Sequence, residues 1–414
     1  MKDKLRNLLS NKTLENLFHV GTIKFVNIFS KYLLIGYLIR TIGETNYGTL
    51  TWVESFVQYF IVYVNFGFDL LIVKKIIENK NDKYEIDKII STVLSLKMLL
   101  FLSSFIILSL LLFLLEIHQF KQMFYLMLVM AIGEVFFPLW YFQGIQKMKY
   151  LSITAVVSKV FLIFGTVIFV TTQNNSNNYI IILVLSNFIY GGLGYYFLQK
   201  TSKFTYIKIN YSNLKEYFKD GFLFYLGKTS TLFMNFGTIF LIGKYFSKSL
   251  VTGFDVSSKI IFAFIFIFEV IQQSFFSQIL ISQNKKKLKI LLGWVIILSL
   301  CFNVFVYVFS TELLHFMGGE EMKKYSSLLE ELSILIPIVA LTTVLGSCGL
   351  VAFGGINKFN YTFLISALIY ILTVSGLISL NMLTFENLIF TRIFVDVFML
   401  ALLIFFATKL KIIL

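Results

Sequence analysis

Apolar runs of about twenty residues recur along the whole chain, separated by short polar connections. The pattern predicts twelve hydrophobic helices, at about 17–39, 49–73, 89–115, 122–142, 151–171, 179–198, 219–242, 251–281, 290–311, 327–352, 361–381 and 388–408. Each run is long enough to cross a bilayer at about 1.5 Å rise per residue. The expected architecture is an all-α polytopic membrane protein with two six-helix bundles, residues 17–198 and 219–414. Residues 199–218 read as a cytoplasmic linker between the bundles, and residues 1–16 as a short amphipathic segment on the cytoplasmic surface. No small-residue cleavage site follows the basic start, so the first run reads as an uncleaved span.

Polar residues interrupt this apolar pattern at helical spacing. The first run carries Lys24, Asn27 and Lys31 on one narrow stripe, and the second carries Glu54, Gln58, Asn65 and Asp69 within about 60° of arc. The eighth run repeats the arrangement with Asp255, Lys259, Glu269 and Gln273. The seventh adds Lys228, Thr231 and Asn235, the fourth Glu134, and the twelfth Arg392 with Asp396. A charge at the bilayer centre costs roughly 2.5–3.5 kcal/mol, so charges that share a helix face should turn away from lipid. These stripes therefore predict a polar cavity inside the helical bundle.

The cations divide into two groups. Lys24, Lys31 and Lys228 have no acid three or four residues away, which favours a cavity-facing cationic role. Asp255–Lys259 and Arg392–Asp396 are paired at i, i+4, and read equally well as internal ion pairs or as parts of the cavity lining. Lys97 and Lys159 read as snorkelling lysines that reach for the interface. Phe262, Phe266 and Tyr225 are aromatic candidates to stack on sugar. A shift of 204 residues superposes Lys24 on Lys228 and Lys31 on Asn235, and the only prolines, Pro138 and Pro337, fall in the fourth and tenth runs. That faint repeat is the pattern of transporters built from parallel repeats.

Composition narrows the function classes. The chain has 414 residues, 57% hydrophobic and 18% aromatic, with mean hydropathy +0.82 and net charge +14. Among its Lys and Arg residues, 23 lie in the termini and connections on the expected cytoplasmic side, six on the opposite side and seven inside the runs. That asymmetry orients both termini to the cytoplasm and accounts for most of the positive charge, which leaves no case for nucleic acid as a partner. His19, His118 and His315 show no ligand-like spacing, and Cys301 and Cys348 read as small buried hydrophobes, so no metal is expected. The GKTS stretch at 227–230 lacks the upstream glycine of a phosphate loop and lies in an apolar run, so it is set aside. No loop is large enough to hold a catalytic site, and the chain is not expected to be an enzyme or a membrane-embedded polymerase or ligase.

Three passages carry a resemblance: GYLIRTIGETNYGTLTWVESF (36–56), NFGFDLLIVKKIIENKND (65–82) and FFPLWYFQGIQKMKYLSIT (136–154). They resemble the polysaccharide-repeat-unit flippases (Wzx type) of the multidrug/oligosaccharidyl-lipid/polysaccharide (MOP) exporter superfamily, and GKYFSKSLVTGFDVSSKI (243–260) matches more loosely. The resemblance implies a MATE-like transporter in the bacterial cytoplasmic (inner) membrane, serving O-antigen, capsule or exopolysaccharide synthesis. Its substrate would be an undecaprenyl-pyrophosphate-linked oligosaccharide, moved outward by alternating access. In that reading Lys24, Lys31, Lys228, Lys259 and Arg392 attract the pyrophosphate. Asn27, Glu54, Gln58, Asn65, Asp69, Glu134, Asn235, Asp255 and Glu269 line the cavity or couple transport to H+ or Na+, with no cofactor. A polysaccharide polymerase and a chain-length regulator are the implied protein partners. The rival expectations are a multidrug or cation exporter, and a flippase for peptidoglycan or teichoic-acid precursors, of the same superfamily.

Overall fold

All twelve apolar runs are helical in the computed structural model. It describes residues 11–412, with side chains described for all but 11–18, 20, 24, 69–71, 223, 224, 226–228, 230 and 231. The helices are α1 (Asn11–Ile42), α2 (Glu44–Asn65), α3 (Phe68–Glu78), α4 (Lys83–Leu114), α5 (Lys121–Val129), α6 (Ala131–Phe136), α7 (Leu139–Gly144), α8 (Lys149–Phe169) and α9 (Ser176–Ser202). They continue as α10 (Tyr211–Leu232), α11 (Thr238–Tyr245), α12 (Lys248–Ser282), α13 (Lys285–Val308), α14 (Ser310–Gly318), α15 (Ser326–Ser333), α16 (Leu335–Val344), α17 (Ile356–Ser379) and α18 (Phe385–Lys409). Side-chain caps fix several starts: Asp82, Ser247, Asn284 and Thr384 each accept a backbone N–H from the first turn of the helix that follows.

Among the described residues, eight helices are long and apolar enough to cross a membrane, or nine if the bent pair Glu320–Ser333 and Leu335–Val351 forms one span. The chain is thus a multi-pass membrane protein. The other three expected runs are α2–α3, α10–α11 and α12, the segments that carry the polar stripes of the second, seventh and eighth runs. Four runs are broken rather than continuous. Phe66 (φ 43°) and Gly67 (φ 76°) are both left-handed and end α2. Pro138 separates α6 from α7, and the bend between α15 and α16 lies just before Pro337, because proline cannot donate to the helical ladder. A π-helical turn, Phe233–Gly237, divides α10 from α11.

The expected amphipathic segment at 1–16 falls mainly outside the described residues, and residues 11–16 continue directly into α1. Of the expected linker, 199–202 belong to α9, 203–210 are in neither helix nor strand, and α10 begins at Tyr211. This connection is pinned to α4: the Thr205 N–H donates to Asp87 (3.3 Å) and the Ile207 N–H to Ser91 Oγ (2.9 Å). Those acceptors lie one turn apart, i and i+4, on the same face of α4, and the donors are two residues apart in the connection.

The chain packs as two compact units: residues up to Asn46 with Val53–Thr229, and Tyr47–Trp52 with Ser230 onwards. In the first unit α9 packs along α8 and α6, and α1 along α8. Phe66, Ile72, Ile90, Val93, Trp140 and Phe142 are among the residues of its buried core. In the second, α16 packs against α12, α13 and α18.

Close helix crossing in the first unit depends on glycine. A Cβ at Gly133 would lie 2.3 Å from the carbonyl oxygen of Asn187, and one at Gly191 would lie 2.7 Å from that of Gly133. We predict that Gly133→Ala and Gly191→Ala each lower the unfolding temperature of the purified protein, at a cost of roughly 1–3 kcal/mol. Gly192→Ala, which meets open space, should not lower it.

Candidate functional site

The polar stripes of the first unit converge on a network of three helices. Asn65, the last residue of α2, donates its amide N–H to Glu134 Oε2 of α6 (3.0 Å). Lys97 of α4 donates to Asn65 Oδ1 (2.8 Å) and to the backbone carbonyl of Glu134 (2.9 Å). Lys97 is 1% exposed, so it does not snorkel to an interface as its position in the run suggested. Along α2, Gln58 donates to Glu54 Oε1 (3.3 Å). Lys159 of α8 is half-buried and stands within the electrostatic reach of Lys31, Glu54 and Glu134. Lys31 is exposed and Asn27 half-buried on α1. Five helices of one unit thus bring polar side chains into segments that are otherwise apolar.

The second unit holds two tighter clusters. Tyr47 donates its hydroxyl to Asp255 Oδ2 (2.7 Å), and Lys259 donates to the same oxygen (2.6 Å) and to the Tyr47 hydroxyl (2.9 Å). Asp255 is buried and the Lys259 side chain is 27% exposed. On α18, Arg392 pairs with Asp396, both buried, and its second amino group donates to Asn235 Oδ1 (3.0 Å) in the π-helical turn. Asn235 and Arg392 edge a cavity of about 40 Å³, otherwise lined by Ile239, Phe254, Phe262 and Ile265 among others. That is room for a water molecule or two, not for a sugar.

Lys259 and Arg392, expected among the substrate-facing cations, are therefore each matched to a carboxylate one turn along their own helix. Both i, i+4 ion pairs form, and Arg392 also edges the small cavity. Glu269 is exposed on α12 and joins neither cluster. The side chains of Lys24, Lys228 and Asp69 lie outside the described residues. Tyr225 stacks on Phe66 (centroids 5.2 Å apart, planes 11°), where it packs the α2–α3 break, and Phe266 is half-buried. Cys348 is buried as expected, whereas Cys301 is exposed on α13, a helix whose outward face is apolar. Among the described residues no group of His, Cys, Asp and Glu could hold a metal.

Two participants had weak signals in the sequence. Tyr47 was one of many tyrosines, and its partners lie more than 200 residues away. Lys97 had a better marker: Pro138 leaves the Glu134 carbonyl without its helical donor, so a buried donor was to be expected nearby.

Residues 13–256 match the family model described as "Polysaccharide biosynthesis protein". The chain is 23% identical over 246 residues to a protein of Escherichia coli (strain K12) named for O-antigen transport. That match covers 59% of each chain, so the chain spans well under two thirds of that relative. The fold is similar to the lipid II flippase MurJ in an inward closed conformation, with TM-score 0.71 and 15% identity, over 93% of this chain and 87% of that one. It is also similar to the inward-facing conformation of a multidrug resistance MATE family transporter of the MOP superfamily, with TM-score 0.67 and 14% identity, over 92% and 98% of the two chains. At these identities the structural likeness establishes the MATE-like fold.

The second-unit cluster makes a stability prediction. Asp255→Ala leaves the half-buried Lys259 without its carboxylate and should cost about 3 kcal/mol in thermal unfolding of the detergent-purified protein. Tyr47→Phe, which removes one hydrogen bond, should cost about 1 kcal/mol. Asp255→Leu combined with Lys259→Met should recover most of the loss.

Proposed function

The chain belongs to the polysaccharide biosynthesis protein family, and we propose that it is a flippase carrying lipid-linked oligosaccharide repeat units across the bacterial cytoplasmic membrane. The match of residues 13–256 to that family carries the reading. The MATE-like fold and the polar side chains held within membrane-crossing segments support it. On this reading the substrate is an undecaprenyl-pyrophosphate-linked oligosaccharide, both termini lie in the cytoplasm, and the isoprenoid tail stays in lipid while the head group crosses. The two halves, 17–198 and 219–414, alternate in exposing the head group to either side. A proton or sodium ion supplies the driving force, and a polymerase and a chain-length regulator act on the delivered units.

Lysine suits a phosphate head group as a compact point charge with three donors. With Lys259 and Arg392 engaged by Asp255 and Asp396, the cations proposed to meet the pyrophosphate are Lys24, Lys31 and Lys228. Lys24 and Lys228 lie seven to nine residues from the cytoplasmic end of their runs, a depth of roughly 10–13 Å along a helix. The same three lysines argue against a cation exporter, which would favour an acidic cavity.

The test is complementation in a strain that lacks its own repeat-unit flippase. The wild-type gene should restore surface polysaccharide, while Lys24→Ala and Lys228→Ala should lower it with membrane abundance intact. Unchanged polymer in both variants would remove the cationic role, and failure of the wild type to restore polymer would remove the flippase reading. For orientation, a cysteine placed within 172–178 should react with an impermeant thiol reagent from outside, and one within 282–289 should not.

A further inference from the structure

Two acceptors of Lys97 stand at helix breaks. Lys97 is 1% exposed, and it donates to a backbone carbonyl and to an amide oxygen. The carbonyl belongs to Glu134, four residues before Pro138. In an unbroken helix that oxygen would accept the N–H of residue 138, and proline has none. Left alone in a dry interior it would be costly, so a donor from another helix has to reach it. The amide oxygen belongs to Asn65, the residue before the left-handed pair Phe66–Gly67 that ends α2. Asn65 in turn donates to the Glu134 carboxylate (3.0 Å).

One ammonium therefore joins two helix breaks. It replaces the missing proline N–H on one side and orients the Asn65 amide on the other, and that amide holds the Glu134 carboxylate. Glu134 also belongs to the polar cluster of the first unit, in which it acts with Lys31 of α1 and Glu54 of α2 on Lys159 of α8.

We infer that Lys97 is a positioning residue: through the Glu134 carbonyl and the Asn65 amide it sets where the Glu134 carboxylate stands in the polar cluster of the first unit. The inference deepens the flippase reading and rests on it for its consequence in transport, but the placement of Glu134 can be tested without transport.

The experiment uses the full-length protein purified from membranes, and complementation in parallel. The infrared carboxylate band of Glu134 is identified with carbon-13 glutamate by its loss in Glu134→Gln. In Lys97→Met that band should move, and surface polymer per folded protein should fall about tenfold, the effect of leaving buried acceptors without a donor. Pro138→Ala restores a backbone N–H at the position from which a continued helix reaches the Glu134 carbonyl. The loss caused by Lys97→Met should therefore be clearly smaller in the Pro138→Ala background, a coupling expected of residues that share one acceptor. An unmoved Glu134 band, or the same fold-loss in both backgrounds, would overturn the inference. If Lys97→Met alone fails to reach the membrane, its recovery in the Pro138→Ala background would support the inference and continued absence would overturn it. Failure of the wild-type gene to restore polymer would count against the flippase reading and leave the infrared and coupling results to decide the role of Lys97.

Discussion

A charge inside a membrane-crossing helix has to be met by a group of the protein, because hydrocarbon offers neither counter-ion nor hydrogen bond. That constraint accounts for the side-chain arrangement in both units. Asp255, Lys259 and Tyr47 share three hydrogen bonds through two oxygens. Arg392 divides its donors between Asp396 and Asn235. Lys97 is placed where two helix breaks each present an oxygen. In each case a backbone irregularity or an i, i+4 turn supplies the geometry, and the surrounding apolar helices keep the contact dry enough to hold.

The breaks themselves follow from elementary backbone chemistry. Pro138 and Pro337 each remove a donor in a long apolar run, the first opening a gap between α6 and α7 and the second lying at the start of the bend into α16. Phe66 adopts a left-handed conformation that a bulky residue rarely takes, and its ring stacks on Phe218 with centroids 4.6 Å apart. Gly221 makes room for that contact, since a Cβ there would lie 2.9 Å from the Phe66 carbonyl oxygen. Such irregular backbone at membrane depth is tolerated where protein surrounds it. It also gives the first unit its cluster of oriented polar groups, which a set of straight helices would have had to bury in pairs or expel.

Much of this was legible in the residue pattern. Hydropathy located all twelve helical runs, because twenty consecutive apolar residues have few alternatives. The i, i+4 spacing of Arg392–Asp396 and Asp255–Lys259 announced their pairing, although it did not decide between pairing and a cavity role. What spacing could not supply was facing. Lys97 was read by its depth along one helix, whereas it donates to Asn65 of α2 and Glu134 of α6, and the π-helical turn that presents Asn235 to Arg392 has no marker in the residue types. Tyr47 belonged to the same class of omission, a contact set by tertiary packing alone.

The central claim is that this apolar bundle carries an anionic head group across a bilayer that would otherwise exclude it. The most direct measurement reconstitutes the purified protein in liposomes that hold a prenyl-pyrophosphate-linked oligosaccharide in the inner leaflet only. An impermeant glycosidase added outside then reports how much of the sugar has crossed. The account predicts that the cleaved fraction rises with time in vesicles containing the protein and stays at background in protein-free vesicles. Equal cleavage in the two preparations, with the protein shown to be folded and inserted, would contradict it.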